Sequence, residues 1–330
     1  MLSIDKLVPG ILIDPNENES LIIQYSLDGK ILDVANKHGK KFPVQNGVVD
    51  FVNDSNYADN FGDQWTRFPK LQMDSFNKTT ISRDRFLRAL SLSPAELCGK
   101  LILDVGCGTG RFAEIALEAG AIVVGLDYSS AAYIAAKNLE RYKNFLAICG
   151  DIYNLPFKKK SFDLVYCLGV LQHTPDVEKA FKNLPSMVKD HGLLVVDYYW
   201  KRLRSVLGWK YIIRLITSQL QNSTVLKMLQ TVHPIVYPLS DYISKIPKIG
   251  KTISRLLPVV NYNNDYPQLG SKLLRAWSFL DTYDSWAPKF DQPQTVTTVK
   301  KWANDLKLKN IEVEHVGQLV VRGLVSDRHD

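Results

Sequence analysis

The stretch LILDVGCGTG, running from Leu101 to Gly110, limits what this chain can fold into more than any other segment. An apolar strand-like run enters a turn with glycine at 106, 108 and 110, and the following RFAEIALEAG has helical apolar spacing. A strand passing through such a turn straight into a helix opens a βαβ unit and gathers the free N–H groups of the helix start. Glycine lets the backbone turn sharply there and lets a ligand lie against it without meeting a Cβ. The spacing is G-x-G-x-G, and Arg111 stands where a dinucleotide fingerprint would need its last glycine. Asp104 precedes the turn, and a carboxylate there repels a pyrophosphate while suiting a cationic amino-acid group. The turn therefore favours a nucleoside without phosphates over a nicotinamide cofactor.

The alternation continues downstream. AIVVGLD, FLAICGD, FDLVYCLG and GLLVVDY read as further buried strands, with the helical stretches SSAAYIAAKNLERY and VEKAFKNLPSMVK between them. This predicts an α/β, Rossmann-like parallel sheet with helices on both faces. VTTVKKWANDLK reads as a last helix, and IEVEHV with LVVRGLV as an antiparallel hairpin at the sheet edge. Residues 1–55 alternate short apolar runs with turns such as Asp28-Gly29 and Asn46-Gly47, suggesting a small β segment of hairpins. Residues 56–98 read as a helical approach, 99–198 and 276–330 as the core, and 199–275 as an insertion after the fifth strand. Pro234, Pro238, Pro247 and Pro258 predict several short helices in that insertion.

Charge is unevenly spread. Of a formal +7, residues 201–260 carry ten basic groups against one acid, Asp241, a local +9 that leaves −2 for the remainder. The segment suits an anionic acceptor or an anionic membrane surface; RNA is disfavoured, because Trp209, Tyr211, Tyr237 and Tyr242 are few and not interleaved with the basic groups. Its place after the fifth strand makes it a roof for an acceptor pocket, or simply a solvated lid. No apolar run approaches the ~20 residues that span a bilayer. No secretory signal opens the chain, and Cys98, Cys107, Cys149 and Cys167 form no close pair, so a cytoplasmic protein with reduced thiols is expected.

Asp127 ends the second strand nineteen positions after Gly108, a spacing at which an acid accepts hydrogen bonds from ribose hydroxyls. Asp151 and Ile152 follow the third strand, where a carboxylate reaches an exocyclic amine and an apolar neighbour covers a purine. Together LDVGCGTG, GLDYS and GDIYNLPFKKKSFDLVYCLGVLQHTPD resemble class I S-adenosylmethionine-dependent methyltransferases of the small-molecule type that includes the ubiquinone and menaquinone C-methyltransferases. The resemblance runs from about Leu101 to Tyr198. It implies a seven-stranded sheet with S-adenosylmethionine across the strand C-termini and S-adenosylhomocysteine as product. Asp104, Gly106 and Gly108 would border the methionine portion, Asp127 the ribose, Asp151 and Ile152 the adenine, and Leu168 the cofactor's side. Cys107, Gly110 and Tyr128 complete that set.

Two shorter resemblances precede the core. KHGKKFPVQNGVVDFV is similar to the end of a zinc-ribbon module, but the cysteines expected near Asp14, Glu17, Ala35 and His38 are missing. Zinc needs about four soft or imidazole ligands, so a metal-free relic is expected. FGDQWTRF resembles a segment preceding the core in methyltransferases of polysaccharide and natural-product clusters. There a helix would fold over the cofactor with Trp65 and Arg67 facing it; alternatively Phe61, Trp65 and Phe68 are core at helical spacing.

For chemistry, His173 is the candidate base, lying just past the fourth strand. Tyr198 and Tyr199 end the fifth strand and are expected to face the same cleft. LDTYDSWAPKF brings Asp281, Tyr283, Asp284 and Trp286 together, suiting a polyhydroxylated or cationic acceptor; Asp281 joins the catalytic candidates, and Tyr199, Tyr283 and Asp284 the substrate-binding ones. The expected activity is methyl transfer to a small molecule or glycan, at oxygen by family analogy. Transfer to nitrogen, sulfur or carbon is the alternative, and a catalytically silent binding module the rival outside enzymes.

Overall fold

The structure is a computed structural model that describes residues 10–27, 29–52, 57–202 and 208–326; Asp28 of the expected turn and Arg204 of the basic segment lie outside them. The N-terminal segment gives the short strands β1 (Ile13–Asp14), β2 (Glu19–Ser20), β3 (Ile22–Tyr25), β4 (Ile31–Ala35), β5 (Lys41–Phe42), β6 (Val44–Gln45) and β7 (Val48–Asp50). The five apolar runs are β8 (Leu101–Val105), β9 (Ile122–Asp127), β10 (Phe145–Cys149), β11 (Phe162–Cys167) and β12 (Val188–Tyr198), and the final hairpin is β13 (Lys309–Val316) and β14 (Gln318–Leu324).

These runs are apolar at nearly every position because helices cover both faces of the sheet. The strand order is β13-β14-β12-β11-β8-β9-β10-β7-β6, parallel from β12 to β7, with β14 antiparallel to β12. The sheet thus has nine strands where seven were expected. Strands β8–β14 are the seven, and β7 with β6 adds to the edge at β10. Val48 and Val49 are fully buried there, Ile148 pairs with Val49, and the Tyr133 hydroxyl donates to Asp50 at 2.6 Å. An otherwise open edge strand is covered by the chain's own N-terminal segment.

Where the zinc-ribbon resemblance would put ligands, Asp14 is fully buried and accepts hydrogen bonds from the Asn16 amide and the Asn36 side chain, both at 2.9 Å. Asn36 Oδ1 in turn receives the His38 and Lys40 amides, so polar bonds tie these loops together. Glu17, Glu19 and His38 place potential ligand atoms within 4.8 Å of one another near the surface, with Glu19 paired to Lys37 and Glu17 facing His38 at 3.5 Å.

The insertion corrects one expectation. Pro234 and Pro238 do not shorten their helix; they lie inside Asn222–Ser244. Both are exposed, as is Gln230, so the carbonyls that lose an intrahelical partner face water. The helix Gly270–Trp286 packs against the approach segment, where Leu274, Trp277 and Leu280 cluster with Leu71, Trp65 and Phe68.

Candidate active site

The strand–turn–helix at β8 is built as its glycines dictate. Gly106 and Gly108 have φ of 79° and 53°, in the left-handed region. A Cβ on Gly106 would stand 2.3 Å from Val170 Cγ2, and one on Gly108 3.3 Å from the Trp65 indole nitrogen. The turn is pinned from the next strand: Asp127 Oδ2 accepts the Gly108 amide at 2.9 Å, while Oδ1 accepts the Ser129 amide and hydroxyl at 2.9 and 2.7 Å. A carboxylate has about four acceptor positions, so one remains for a ligand.

A cavity of about 830 Å³ opens over this turn. Gly106, Cys107, Gly108, Asp127, Tyr128, Ile152 and Leu168 line one end, all expected from the sequence. The helix Asp59–Arg67 covers it with Phe61, Gln64 and Trp65.

The other end is polar and aromatic. Arg111 donates to Gln72, whose amide donates to Asp281 Oδ1 at 3.1 Å; the Tyr262 hydroxyl holds Asp281 Oδ2 at 2.5 Å. Tyr199 donates to Asp284 at 3.2 Å, and Arg85 to Asp197 at 2.9 Å. Burial, with Asp284 close by, pushes the Asp281 carboxyl up to about 6. Burial and the neighbouring Arg85 guanidinium bring Arg111 down to about 10.

His173 lies between the two ends, in the 3-10 turn Leu171–His173. Its Nδ1 meets the Phe290 carbonyl at 3.0 Å. A carbonyl only accepts, so Nδ1 carries the proton and Nε2 holds a lone pair. Nε2 is buried and has no partner among the described residues. Phe61 and Tyr199 flank the ring, with centroids at 5.2 and 5.4 Å, and burial lowers the imidazole below its ordinary pKa.

Several expected residues stand elsewhere. Tyr198 points to the opposite sheet face, where it packs fully buried against Phe181 and Trp302; consecutive strand residues alternate faces, so only Tyr199 reaches the cavity. Arg67, two positions beyond Trp65 on one helix, is turned away and borders a separate groove with Phe68 and His233. Gly110 caps the helix Arg111–Glu118 with φ 84°, and its close neighbour is Leu139 Cδ1, 2.6 Å from where a Cβ would be; it is a packing glycine, not a cradle residue. Tyr283 is buried with Val225, Leu229 and Trp286 under the insertion, because only positions 281, 284 and 285 of that helix face the cavity. Asp151 does not line the cavity, although Gly150 and Ile152 do; its Oδ1 accepts the Tyr153 amide at 2.9 Å. Asp104 sits buried at the end of β8, also outside the lining, with Oδ2 unpaired among the described residues. Burial and the charge of Asp127 push its carboxyl up to about 7.

Sequence reasoning missed Tyr57, Gln72, Arg85, Lys210 and Tyr262, which line the cavity from distant parts of the chain. Arg85 carried a signal: Ser82, Phe86 and Ala89 mark the inward face of Ile81–Leu90, and Arg85 flanks it. The buried Arg322 fixes that helix by donating to the Ala89 and Arg88 carbonyls at 2.7 and 2.8 Å.

Residues 103–196 match the family model described as a methyltransferase domain. That stretch, the matched methyltransferase domain, covers less than a third of the chain. Among curated proteins, the domain is similar to the ubiquinone biosynthesis O-methyltransferase of Coxiella burnetii, 34% identical over 126 residues, or 36% of this chain and 54% of that one. The protein of the same name from Rhodopseudomonas palustris is 33% identical over 148 residues, 42% and 56% of the two chains. The chain spans about half the length of these relatives. A solved structure of magnesium protoporphyrin IX methyltransferase from Synechocystis with bound S-adenosylhomocysteine overlays with a TM-score of 0.41 at 18% identity, covering 82% of this chain and 97% of that one. The methyltransferase domain holds the glycine turn, Asp127 and His173, while Trp65, Arg85 and Asp281 reach the cavity from outside it.

Proposed function

We propose that the protein transfers a methyl group from S-adenosylmethionine to an oxygen of a small-molecule or glycan acceptor, with His173 as the base. The cradle end of the cavity fits the donor. Gly106 and Gly108 line the cavity with backbone in the left-handed region, where a Cβ would crowd Val170 and Trp65, Asp127 keeps an acceptor position for ribose hydroxyls, and Ile152 and Leu168 offer apolar cover for a purine. When bound, S-adenosylmethionine supplies an already activated methyl group on a sulfonium centre.

The residues of the chain then have two tasks. Asp281, Asp284, Tyr199 and Tyr262 offer acceptors and donors at the other end of the cavity, where they would fix a hydroxylated acceptor. Holding two reactants in one geometry gains effective molarities of ~10⁵–10⁸ M. The single observation that carries the reading is the His173 Nε2 lone pair, buried without a partner in a residue that lines this cavity. It would take the hydroxyl proton as the oxygen attacks, a contribution of roughly 10²–10⁴-fold. The name of the matched relatives, O-methyltransferase, agrees with oxygen as the reacting atom. The reading assigns no part to a metal.

The test follows S-adenosylhomocysteine release over a panel of hydroxylated acceptors. His173→Ala should lower turnover by ~10²–10⁴-fold, with equilibrium binding of labelled S-adenosylmethionine unchanged. Because burial lowers the imidazole, the acid limb of the wild-type kcat/KM profile should fall below the ordinary histidine range. Wild-type turnover in the variant would end the base assignment, and failure to bind the labelled donor would end the reading as a whole.

A further inference from the structure

The insertion leaves an apolar surface in water. Of the seventeen large hydrophobic side chains that are exposed among the described residues, twelve lie between Ile212 and Leu256. They are arranged by face. In the helix Trp209–Thr217, Ile212, Leu215 and Ile216 form one outward stripe, with Leu215 72% exposed, while Arg214 and Thr217 are buried. In Asn222–Ser244, Met228, Ile235, Leu239 and Tyr242 recur at spacings of seven, four and three along the outward side. The opposite side of that helix is already used: Val225 and Leu229 pack with Tyr283 and Trp286, and His233 meets Ser278 at 2.9 Å. Past its end, Ile249, Ile253 and Leu256 continue the pattern at the short helix Gly250–Ser254. A surface helix that is apolar on both faces has a second apolar contact to make.

Charge identifies the occupant. Lys227, Lys245, Lys248, Lys251 and Arg255 alternate with these side chains, and Asp241 is the only acid between 201 and 260. Lys245 pairs with Asp241 and Lys251 with Asp265, but Lys227 and Lys248 have no ion-pair partner among the described residues. A second copy would bring two +9 segments face to face. RNA would engage the lysines and leave the isoleucines in water. An anionic bilayer surface answers both features, because its headgroups attract the basic side chains while its acyl boundary takes the apolar ones. We infer that residues 208–256 dock the protein on anionic lipid bilayers, lying on the surface; no helix among the described residues is long and apolar enough to cross one. The same segment contributes Lys210, Tyr211 and Arg255 to the cavity wall, so docking brings the acceptor end of the cavity close to the lipid. The inference is independent of the reacting atom and of His173.

Vesicle co-sedimentation of the full chain tests it, with phosphatidylcholine vesicles and with vesicles containing phosphatidylglycerol at an equal molar ratio. The protein should partition to the anionic vesicles and be released by salt. A triple variant, Ile212→Ser with Leu215→Ser and Ile216→Ser, should lower that partition at least ~tenfold, as should Ile249→Ser with Ile253→Ser and Leu256→Ser. All six positions are exposed, so the melting temperature should hold, which separates lost docking from lost folding. Protein remaining in the supernatant with both vesicle types would overturn the inference. So would anionic partition that survives both variants, or a solution dimer or an RNA complex that forms in place of vesicle binding.

Discussion

Asp104 shows how one buried side chain makes the fold sensitive to pH. Its carboxyl is pushed up to about 7 by burial and by Asp127, against the ordinary 3.8. The folded protein without cofactor therefore holds a proton there that the unfolded chain releases between those values. Where the folded state binds more protons, stability falls as pH rises. The wild type should lose stability from about pH 4 to about pH 7, and Asp104→Asn, always neutral, should remove that loss. The variant should be more stable above pH 7 by on the order of 4 kcal/mol, and level with the wild type near pH 4, by urea denaturation. A constant difference across the range would place the carboxyl in a solvated site. At this scale the sequence was legible where residues are neighbours along the chain. Gly106, Gly108 and Asp127 meet through one turn and one strand pairing, Asp104↔Gly125 and Val105↔Leu126, that the βαβ pattern already implies. Tyr198 and Tyr199 could not be told apart without knowing which face of β12 the helix Val296–Asp305 covers.

Among the elements, the helix Asp59–Arg67 determines how closed the cavity is. It crosses the helix Ala131–Asn138, and Gly62 lies so near Ser130 that a Cβ would stand 2.4 Å from its hydroxyl oxygen and 3.4 Å from its amide. A glycine inside a helix costs about 1 kcal/mol relative to alanine, and here it permits a close approach. The hydroxyl of Ser130 can rotate, so Gly62→Ala should change stability by less than about 1 kcal/mol, propensity offsetting the small displacement. Gly62→Val has no such escape. It should lift the helix, carrying Trp65 off Gly108, and weaken S-adenosylmethionine binding by ~tenfold or more while costing about 1–3 kcal/mol of stability. Calorimetric binding beside a thermal melt reads both, and equal affinity in the two variants would detach this helix from the cofactor. The segment FGDQWTRF placed a helix here, and its period placed Trp65, but Arg67 shows that facing a site cannot be assigned to two residues a hundred degrees apart per step. Pro234 teaches the same lesson for the insertion: proline ends a helix only where the carbonyl it strands has nowhere else to go, and exposure decides that.

Over the whole molecule, the N-terminal strands and the methyltransferase domain form one sheet, and this predicts how the protein unfolds. Val49 belongs to the same core cluster as Leu103, Val124 and Val165 of the central strands, and Ile11 and Leu12 belong to it as well. The Ile13 amide donates to the Pro156 carbonyl at 3.0 Å, Phe51 to Cys149 at 2.9 Å, and Tyr133 to Asp50 at 2.6 Å. Removing those contacts would leave the β10 edge unpaired and its apolar face in water, a costlier outcome than fraying of an appended module. Residues 10–52 and the core should therefore unfold in a single transition, with coincident curves from tryptophan fluorescence and from circular dichroism. Val49→Asp buries a charge without a partner and should lower stability by about 3 kcal/mol or more, shifting the one midpoint rather than splitting it. Amide protons of β7 should exchange as slowly as those of β10, since they open together. An early separate transition that leaves cofactor binding intact would show instead that the sheet holds its shape without this edge, and that the N-terminal strands pair with it as a detachable part.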